Sequence, residues 1–146
     1  MANSVLKDKQ GIDWPLGYVN VPTSGTPVSI MTNVDPSLVN DPSKPTPGTS
    51  GADEYTVRCQ QMIFQGFHPS GGKMVANSGN VYLIRQPSSG GTGNLTDTGV
   101  IALIIPAGQT AVLASAPLNR NVFNPYRYRL DADNSGEGAL VTLLIQ

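Results

Sequence analysis

The chain has 146 residues and a formal net charge of −1, and Lys, Arg, Asp and Glu make up only 13% of it. A single domain is the expectation for this length, and the lack of a basic surplus argues against nucleic-acid binding as the main task. Gly and Pro supply 28 residues (16 plus 12). Because both residues interrupt helices, we expect many turns and few long helices.

The sequence lacks the residue patterns that predict an intrachain disulfide, a zinc site or a membrane span. Cys59 is the single cysteine, so an intrachain disulfide cannot form, and no Cys/His cluster has zinc-site spacing. The first ten residues lack the apolar core of a signal peptide, and no run of about 18 apolar residues predicts a membrane span. We therefore expect a protein made in a cytosol and kept there or in a particle assembled there.

The first part of the chain predicts irregular backbone. Residues 1–27 contain three prolines that break any helix and show no sustained period, so we interpret them as an extended N-terminal arm. The remainder, 28–146, is predicted to be one β-sandwich domain. Within it, residues 35–54 are rich in Pro, Ser, Thr and Gly and predict a long surface loop.

From residue 55 onward the sequence predicts short strands in quick succession. Turn signals such as NSGN at 77–80 and PAG at 106–108 separate apolar runs of strand length. With a first strand at 28–32, about eight short strands are expected, which is the pattern of an antiparallel β-sandwich or jelly-roll-like barrel in an all-β protein. The later strands are predicted at 55–67, 81–85, 100–105, 109–114, 126–130 and 139–145.

Three of the predicted strands, at 81–84, 100–105 and 139–145, are apolar at odd and even positions alike. In a monomeric antiparallel sandwich one face of each strand is exposed to solvent, which gives alternating polar and apolar residues. Either these strands are central and covered on both sides, or another subunit covers their outer face. The small size of the domain favours the second interpretation.

One turn matches the opening of a calcium-binding loop. Asp131, Asp133 and Ser135 occupy the oxygen-ligand positions of a D-x-D-x-S-G segment. The bidentate Glu expected at the twelfth position is missing, since Thr142 stands there, and the flanks predict strands and not helices. Because Asp, Asn and Gly also build ordinary strand-to-strand turns, we favour the turn and expect neither a metal nor a cofactor.

Catalytic motifs do not accompany the candidate nucleophiles. His68, the single histidine, lies in an HPSGG turn without a G-x-S-x-G elbow. Cys59 is predicted to lie in a strand and to face the core as a small hydrophobic residue. The Gly-rich segment 90–94 lacks the Gly-Lys-Ser/Thr of a phosphate-binding loop. The Tyr/Arg alternation at 126–129 is more typical of a strand with one core face and one solvated face than of a sugar site. We expect no enzyme.

Three motifs in residues 75–146 carry a resemblance to a known class of proteins. They are NSGNVY from Asn77, IPAGQT from Ile105, and YRLDADNSGEG from Tyr128, which precedes a terminal apolar strand. In this order they resemble the motifs of β-sandwich domains in small structural proteins of tailed bacteriophages. Residues 1–54 carry no such resemblance.

The resemblance implies a virion protein of the capsid decoration (cement) or head accessory type. Such proteins are commonly trimers that reinforce the shell. The implied partners are the major capsid protein and further copies of this chain, on the capsid surface of a virion assembled in the host cytoplasm. The arm then supplies candidate partner contacts, because extended backbone can lie in a neighbour's groove. These candidates are Trp14, Pro15, Tyr18, Val19 and Val21.

Two other functions compete with decoration at this point. A fibre-type receptor- or glycan-binding module would use the predicted loops at 35–54 and 87–98 together with the Tyr/Arg alternation. A small hydrolase would need His68 or a carboxylate pair in a pocket, and the sequence contains no motif for it.

Overall fold

Ten β-strands and one short 3-10 turn make up the described part of the chain, which in this computed structural model comprises residues 13–32, 59–85, 99–114, 123 and 125–145. The 3-10 turn, Pro125–Arg127, leads directly into the ninth strand. In chain order the strands are β1 Asp13–Asn20, β2 Val28–Ser29, β3 Cys59–Gln65, β4 Phe67–Ser70, β5 Lys73–Ala76, β6 Val81–Arg85, β7 Val100–Ile105, β8 Thr110–Ala114, β9 Tyr128–Ala132 and β10 Gly138–Ile145.

Eight of these strands form two four-stranded antiparallel sheets. Sheet I has the order β1-β10-β3-β8 and sheet II the order β2-β9-β6-β7. The remaining two, β4 and β5, form a hairpin whose turn residues Gly71 and Gly72 both have positive φ, at 59° and 77°. The prediction of an all-β sandwich is confirmed. In the described part of the chain, no helix is long and apolar enough to cross a membrane.

The core lies between the two sheets and follows from the alternation of each strand. On β10, Ala139, Val141 and Leu143 are buried while the residues between them are only half-buried. Because successive side chains of a strand point to opposite faces, one face of each sheet supplies the core. Its other fully buried members include Val19, Val21, Ile30, Met31, Cys59, Met62, Phe64, Val81, Leu83, Ile105 and Leu130.

The three strands that are apolar at both parities occupy two different positions. The segments 81–84 and 139–145 belong to β6 and β10, each of which is paired on both sides within its sheet. In contrast, 100–105 is β7, the last strand of sheet II. Only this third segment therefore leaves apolar side chains at an unpaired sheet edge among the described residues.

The structure corrects the interpretation of residues 1–27 as an arm. Residues Asp13–Asn20 form β1, which pairs with β10 along its length, and Val21 and Val19 are buried in the core. A β-bulge between Pro15 and Gly17 shifts the register, which hides the alternation in the sequence. A proline is tolerated here because β1 is an edge strand. Residues 1–12, and the predicted loop at 35–54, lie outside the described residues.

Candidate functional site

The two aspartates of the calcium-loop candidate are engaged as hydrogen-bond acceptors. Oδ1 of Asp131 accepts from the backbone N–H of Gly25 and from the backbone N–H of Ala132, both at 2.8 Å. Asp133 accepts from the backbone N–H of Asn80 through Oδ2 and from the Tyr82 hydroxyl through Oδ1, both at 2.9 Å. Both carboxylates therefore hold neighbouring turns in place.

The third residue of the candidate, Ser135, plays a similar part. Its Oγ accepts from the backbone N–H of Ser24 at 2.9 Å, and the hydroxyl of Ser24 donates to the carbonyl oxygen of Ala132 at 2.7 Å. Within the described ranges, no group of three His, Cys, Asp or Glu side chains is arranged to hold a metal ion. These hydrogen bonds join the segment after β9 to the segment between β1 and β2.

A buried carboxylate, Glu137, is the centre of this polar region and was not singled out from the sequence. It is 7% exposed. Its Oε1 accepts from the backbone N–H and the hydroxyl of Ser78, both at 2.8 Å, and its Oε2 accepts from the N–H of Gly79 at 3.1 Å. The side-chain amide of Asn134 donates to Oε2 at 3.3 Å. One side chain thereby joins the turn after β5 to the turn after β9.

The hydrogen bonds also set the charge state of Glu137. Burial alone would raise the pKa of its carboxyl, but the donated bonds from Ser78, Gly79 and Asn134 together lower it below the ordinary 4.5. These donors favour the ionised form because a carboxylate accepts hydrogen bonds more strongly than a neutral acid does. The carboxylate is therefore a structural anion of the fold at neutral pH.

His68 and Cys59 lie in unrelated surroundings. Nδ1 of His68 lies 2.9 Å from Oδ1 of Asn77, whose Nδ2 donates to the carbonyl oxygen of Gly138 at 2.7 Å. Cys59 begins β3, and His68 follows beyond the opposite end of that strand. The Cys59 thiol donates to the carbonyl oxygen of Phe123 at 3.6 Å, and burial raises its pKa to about 12. The two side chains form no nucleophile–base pair.

The residues of the Tyr/Arg alternation whose burial the structure describes, 127–129, do not form an exposed surface. Tyr128 is buried and packs edge-on against Phe123, with ring centroids 6.0 Å apart. Arg129 is also buried, and Arg127 is half-buried. A Tyr128→Ala variant would therefore report on the core and not on glycan binding. The loops at 35–54 and 87–98, on which the glycan alternative also depends, lie outside the described residues.

The five predicted partner-contact residues separate into two groups. Val19 and Val21 belong to the core, so the structure removes them as contact candidates. Trp14 is half-buried against the core, Pro15 is exposed, and Tyr18 is half-buried with its hydroxyl 3.1 Å from the carbonyl oxygen of Gly136. For these three residues partner contact stays a prediction.

One lateral side of the sandwich has edge strands that resist further pairing. On this side sheet I ends in β1, which contains Pro15 and the bulge that follows it, and sheet II ends in β2, which has two residues. A proline, a bulge and a very short strand are devices that prevent an edge from pairing with another chain.

The opposite lateral side, which we call the open side, consists of β7 (VIALII) and β8 (TAVLA), and in β7 the pairing with β6 skips Ala102 at a register shift. Neither strand contains a charged residue or a proline. The exposed fractions of its large apolar side chains are 70% for Val100, 56% for Ile101, 49% for Ile104 and 45% for Val112. Exposed apolar patches of this kind mark surfaces that other protein chains cover.

The open side continues onto the outer face of three strands of sheet I, namely β8, β3 and β10. By register, the outward positions of β3, β10 and β8 carry only apolar side chains, amides and threonines among the described residues. They are Gln61, Ile63, Gln65, Leu140, Thr142, Leu144, Thr110, Val112 and Ala114. A face without Lys, Arg, Asp or Glu matches the charge depletion of protein–protein interface cores. The open side is therefore the best candidate for a functional surface.

The turn between β7 and β8 is fixed to the rest of sheet I. Gly66 donates its N–H to the carbonyl oxygen of Gln109 and accepts from the N–H of Gly108, both at 2.9 Å. A Cβ at Gly66 would lie 2.6 Å from the carbonyl oxygen of Pro106, so the close approach requires glycine. The turn that joins the two strands of the open side is thus attached to the backbone between β3 and β4.

Comparisons of the chain with protein-family models, curated proteins and solved structures find no significant match.

Proposed function

We propose that this chain is a non-enzymatic virion protein that decorates and stabilises a phage capsid by associating with copies of itself and binding the shell of the major capsid protein. The observation that carries the proposal is the open side, an uncharged apolar edge next to an uncharged sheet face. The resemblance of the three motifs to phage structural proteins is the reason for proposing a phage capsid as the particle. The predicted location is the capsid surface.

The three motifs have a physical role that fits this proposal. NSGNVY and YRLDADNSGEG meet in the polar network around Glu137, and IPAGQT forms the turn between β7 and β8. They brace one end of the sandwich and position the open side. A permanent building block of a particle requires such a preorganised scaffold, because rigidity lowers the entropic cost of association.

The open side also supplies enough apolar surface to hold a partner. Complete burial of a Val or Ile side chain contributes about 1.5–3 kcal/mol. Since the four exposed side chains of the open side are roughly half exposed, their burial would contribute about 4 kcal/mol before any backbone hydrogen bonds are counted. Charged or polar substitution there should therefore weaken binding strongly.

Co-sedimentation with capsid shells that lack this protein tests the proposal. We expect the wild-type chain to sediment with the shells in a copy number set by their symmetry, and Ile104→Lys to bind at least about tenfold more weakly, since about 1.4 kcal/mol corresponds to that factor. Met74→Lys is the matched control, because Met74 is 41% exposed and belongs to the β4–β5 hairpin and not to β7 or β8.

The proposal fails if the wild-type chain does not sediment with shells. Equal binding by Ile104→Lys and the wild type would remove the open side from the contact. No co-sedimentation with shells, combined with specific retention on a glycan array, would favour the receptor-binding alternative instead.

A further inference from the structure

We propose that Arg85 binds a carboxylate of the partner chain that covers the open side, so that it selects an acidic protein surface and sets its orientation along the apolar edge. The inference specifies the kind of partner surface within the proposed function and rests on it. It adds a charged contact to an edge whose two strands carry no charge of their own.

The first argument is the position of Arg85 where the open side begins. Arg85 is the last residue of β6 and pairs with Val100, which is the first residue of β7 and the most exposed of its large apolar side chains. A Cβ at Gly99 would lie 2.7 Å from the carbonyl oxygen of Arg85, so the chain enters β7 in close contact with the end of β6. Because Arg85 is exposed, a guanidinium group borders the apolar edge and is accessible to a partner.

The second argument is the positive charge around Arg85. Tyr128 lies opposite Arg85 on β9, and Arg127 directly precedes Tyr128. Burial raises the pKa of the Tyr128 hydroxyl, whereas the charges of Arg85 and Arg127 act to lower it, so both guanidinium groups lie near this hydroxyl. Neighbouring positive charges favour an anion, and Arg binds a carboxylate through two parallel hydrogen bonds.

The third argument is that sheet II carries opposite charges at its two ends. At the end remote from Arg85, Asp131 lies opposite Tyr82, and Asp133 follows β9. The donors described for both carboxylates are uncharged, namely backbone N–H groups and the Tyr82 hydroxyl. A partner carboxylate is therefore attracted at the Arg85 end and repelled about 10–17 Å away along the strand, which gives the apolar edge a direction.

An acidic protein surface fits this edge better than a nucleic acid does. Protein–protein interfaces combine an apolar centre with a polar rim and are enriched in Arg, which is the arrangement of the exposed apolar side chains and Arg85. Binding to a phosphate backbone depends instead on many cationic contacts, whereas the whole chain has a net charge of −1. The expected partner surface is therefore an apolar patch with an Asp or Glu side chain at one end.

Co-sedimentation with capsid shells at two salt concentrations tests the contact. Arg85→Gln removes the charge, Arg85→Lys keeps it, and Lys73→Gln is the matched control, because Lys73 is an exposed cation of the β4–β5 hairpin. At about 0.05 M salt we expect Arg85→Gln to bind at least about tenfold more weakly than the wild type, Arg85→Lys to fall between the two, and Lys73→Gln to bind like the wild type. At about 0.5 M salt, screening should bring the wild type and Arg85→Gln to within about threefold of each other.

Three results would overturn the Arg85 contact and leave the proposed function in place. They are equal binding of Arg85→Gln and the wild type at low salt, an equal loss of binding in Lys73→Gln, and binding of Arg85→Lys as weak as that of Arg85→Gln. No binding of the wild type to shells would overturn the proposed function and the contact together. Arg85-dependent binding to a single-stranded DNA oligonucleotide that is tighter than binding to shells would assign a phosphate as the anion and overturn the protein carboxylate.

Discussion

A chain that lacks residues 1–20 is expected not to fold, whereas a chain that lacks only residues 1–12 is expected to fold. The longer deletion removes β1, and with it the fully buried Val19 and the half-buried Trp14 and Leu16 that pack on the core. Burial of one Val or Leu contributes about 1.5–3 kcal/mol, and the whole domain has only about 5–15 kcal/mol of stability. The lost packing and the lost ladder to β10 together approach that total.

Circular dichroism during urea titration measures the difference between the two deletions. The shorter chain starting at residue 13 should unfold cooperatively, and the chain starting at residue 21 should show no cooperative transition. A cooperative transition of similar midpoint in both would mean that residues 13–20 are dispensable for the fold. That result would restore the original interpretation of residues 1–27 as an arm.

Glu137→Gln is expected to destabilise the domain by about 2–4 kcal/mol, because hydrogen bonds to a charged acceptor contribute about 1.5–3 kcal/mol each and an unmatched buried group adds a penalty. The amide of Gln keeps one oxygen but turns an NH₂ group toward donors that need an acceptor. If the remaining oxygen stays with Ser78, the donors that lose their partner are the N–H of Gly79 and the side-chain amide of Asn134.

The same carboxylate predicts how stability depends on pH. Because its folded pKa is lowered below 4.5, its contribution is fully present above the unfolded value and is lost as the pH falls through the folded pKa. The wild type should therefore lose stability on acidification below about 4.5. The Glu137→Gln variant should lack this part of the pH dependence.

Asp133→Asn provides the control for this prediction. Asp133 accepts two hydrogen bonds in the same region but is exposed, so we expect a loss of about 1 kcal/mol or less. Denaturant midpoints at several pH values measure all three chains. If Glu137→Gln is no less stable than Asp133→Asn, the carboxylate does not brace the two turns as described.

Much of the fold could be predicted from the sequence because the relevant signals are local. Alternation and turn residues placed β6 and β7 at their observed bounds. The turn predicted at 131–138 is shorter in the structure, because β9 continues to Ala132 and β10 begins at Gly138. β1 was not predicted, because Pro15 and the bulge after it interrupt the period of two. The proline argued against a strand, although an edge strand tolerates it.

The candidate site could be anticipated only in part, because it depends on strand order. The sequence showed that 81–84, 100–105 and 139–145 are apolar on both faces. It did not reveal that β6 and β10 are paired on both sides while β7 ends its sheet. Glu137 was likewise missed, since its partners Ser78 and Gly79 are 59 and 58 residues away in the chain.

Amide hydrogen exchange of the dilute, monomeric protein compared with the shell-bound protein tests the central claim most directly. The claim is that the open side is the surface that other protein chains cover. We predict that the amides of β7 and β8 exchange at least about tenfold more slowly in the bound state than in the free state. Unchanged exchange in β7 and β8, with protection elsewhere, would contradict it.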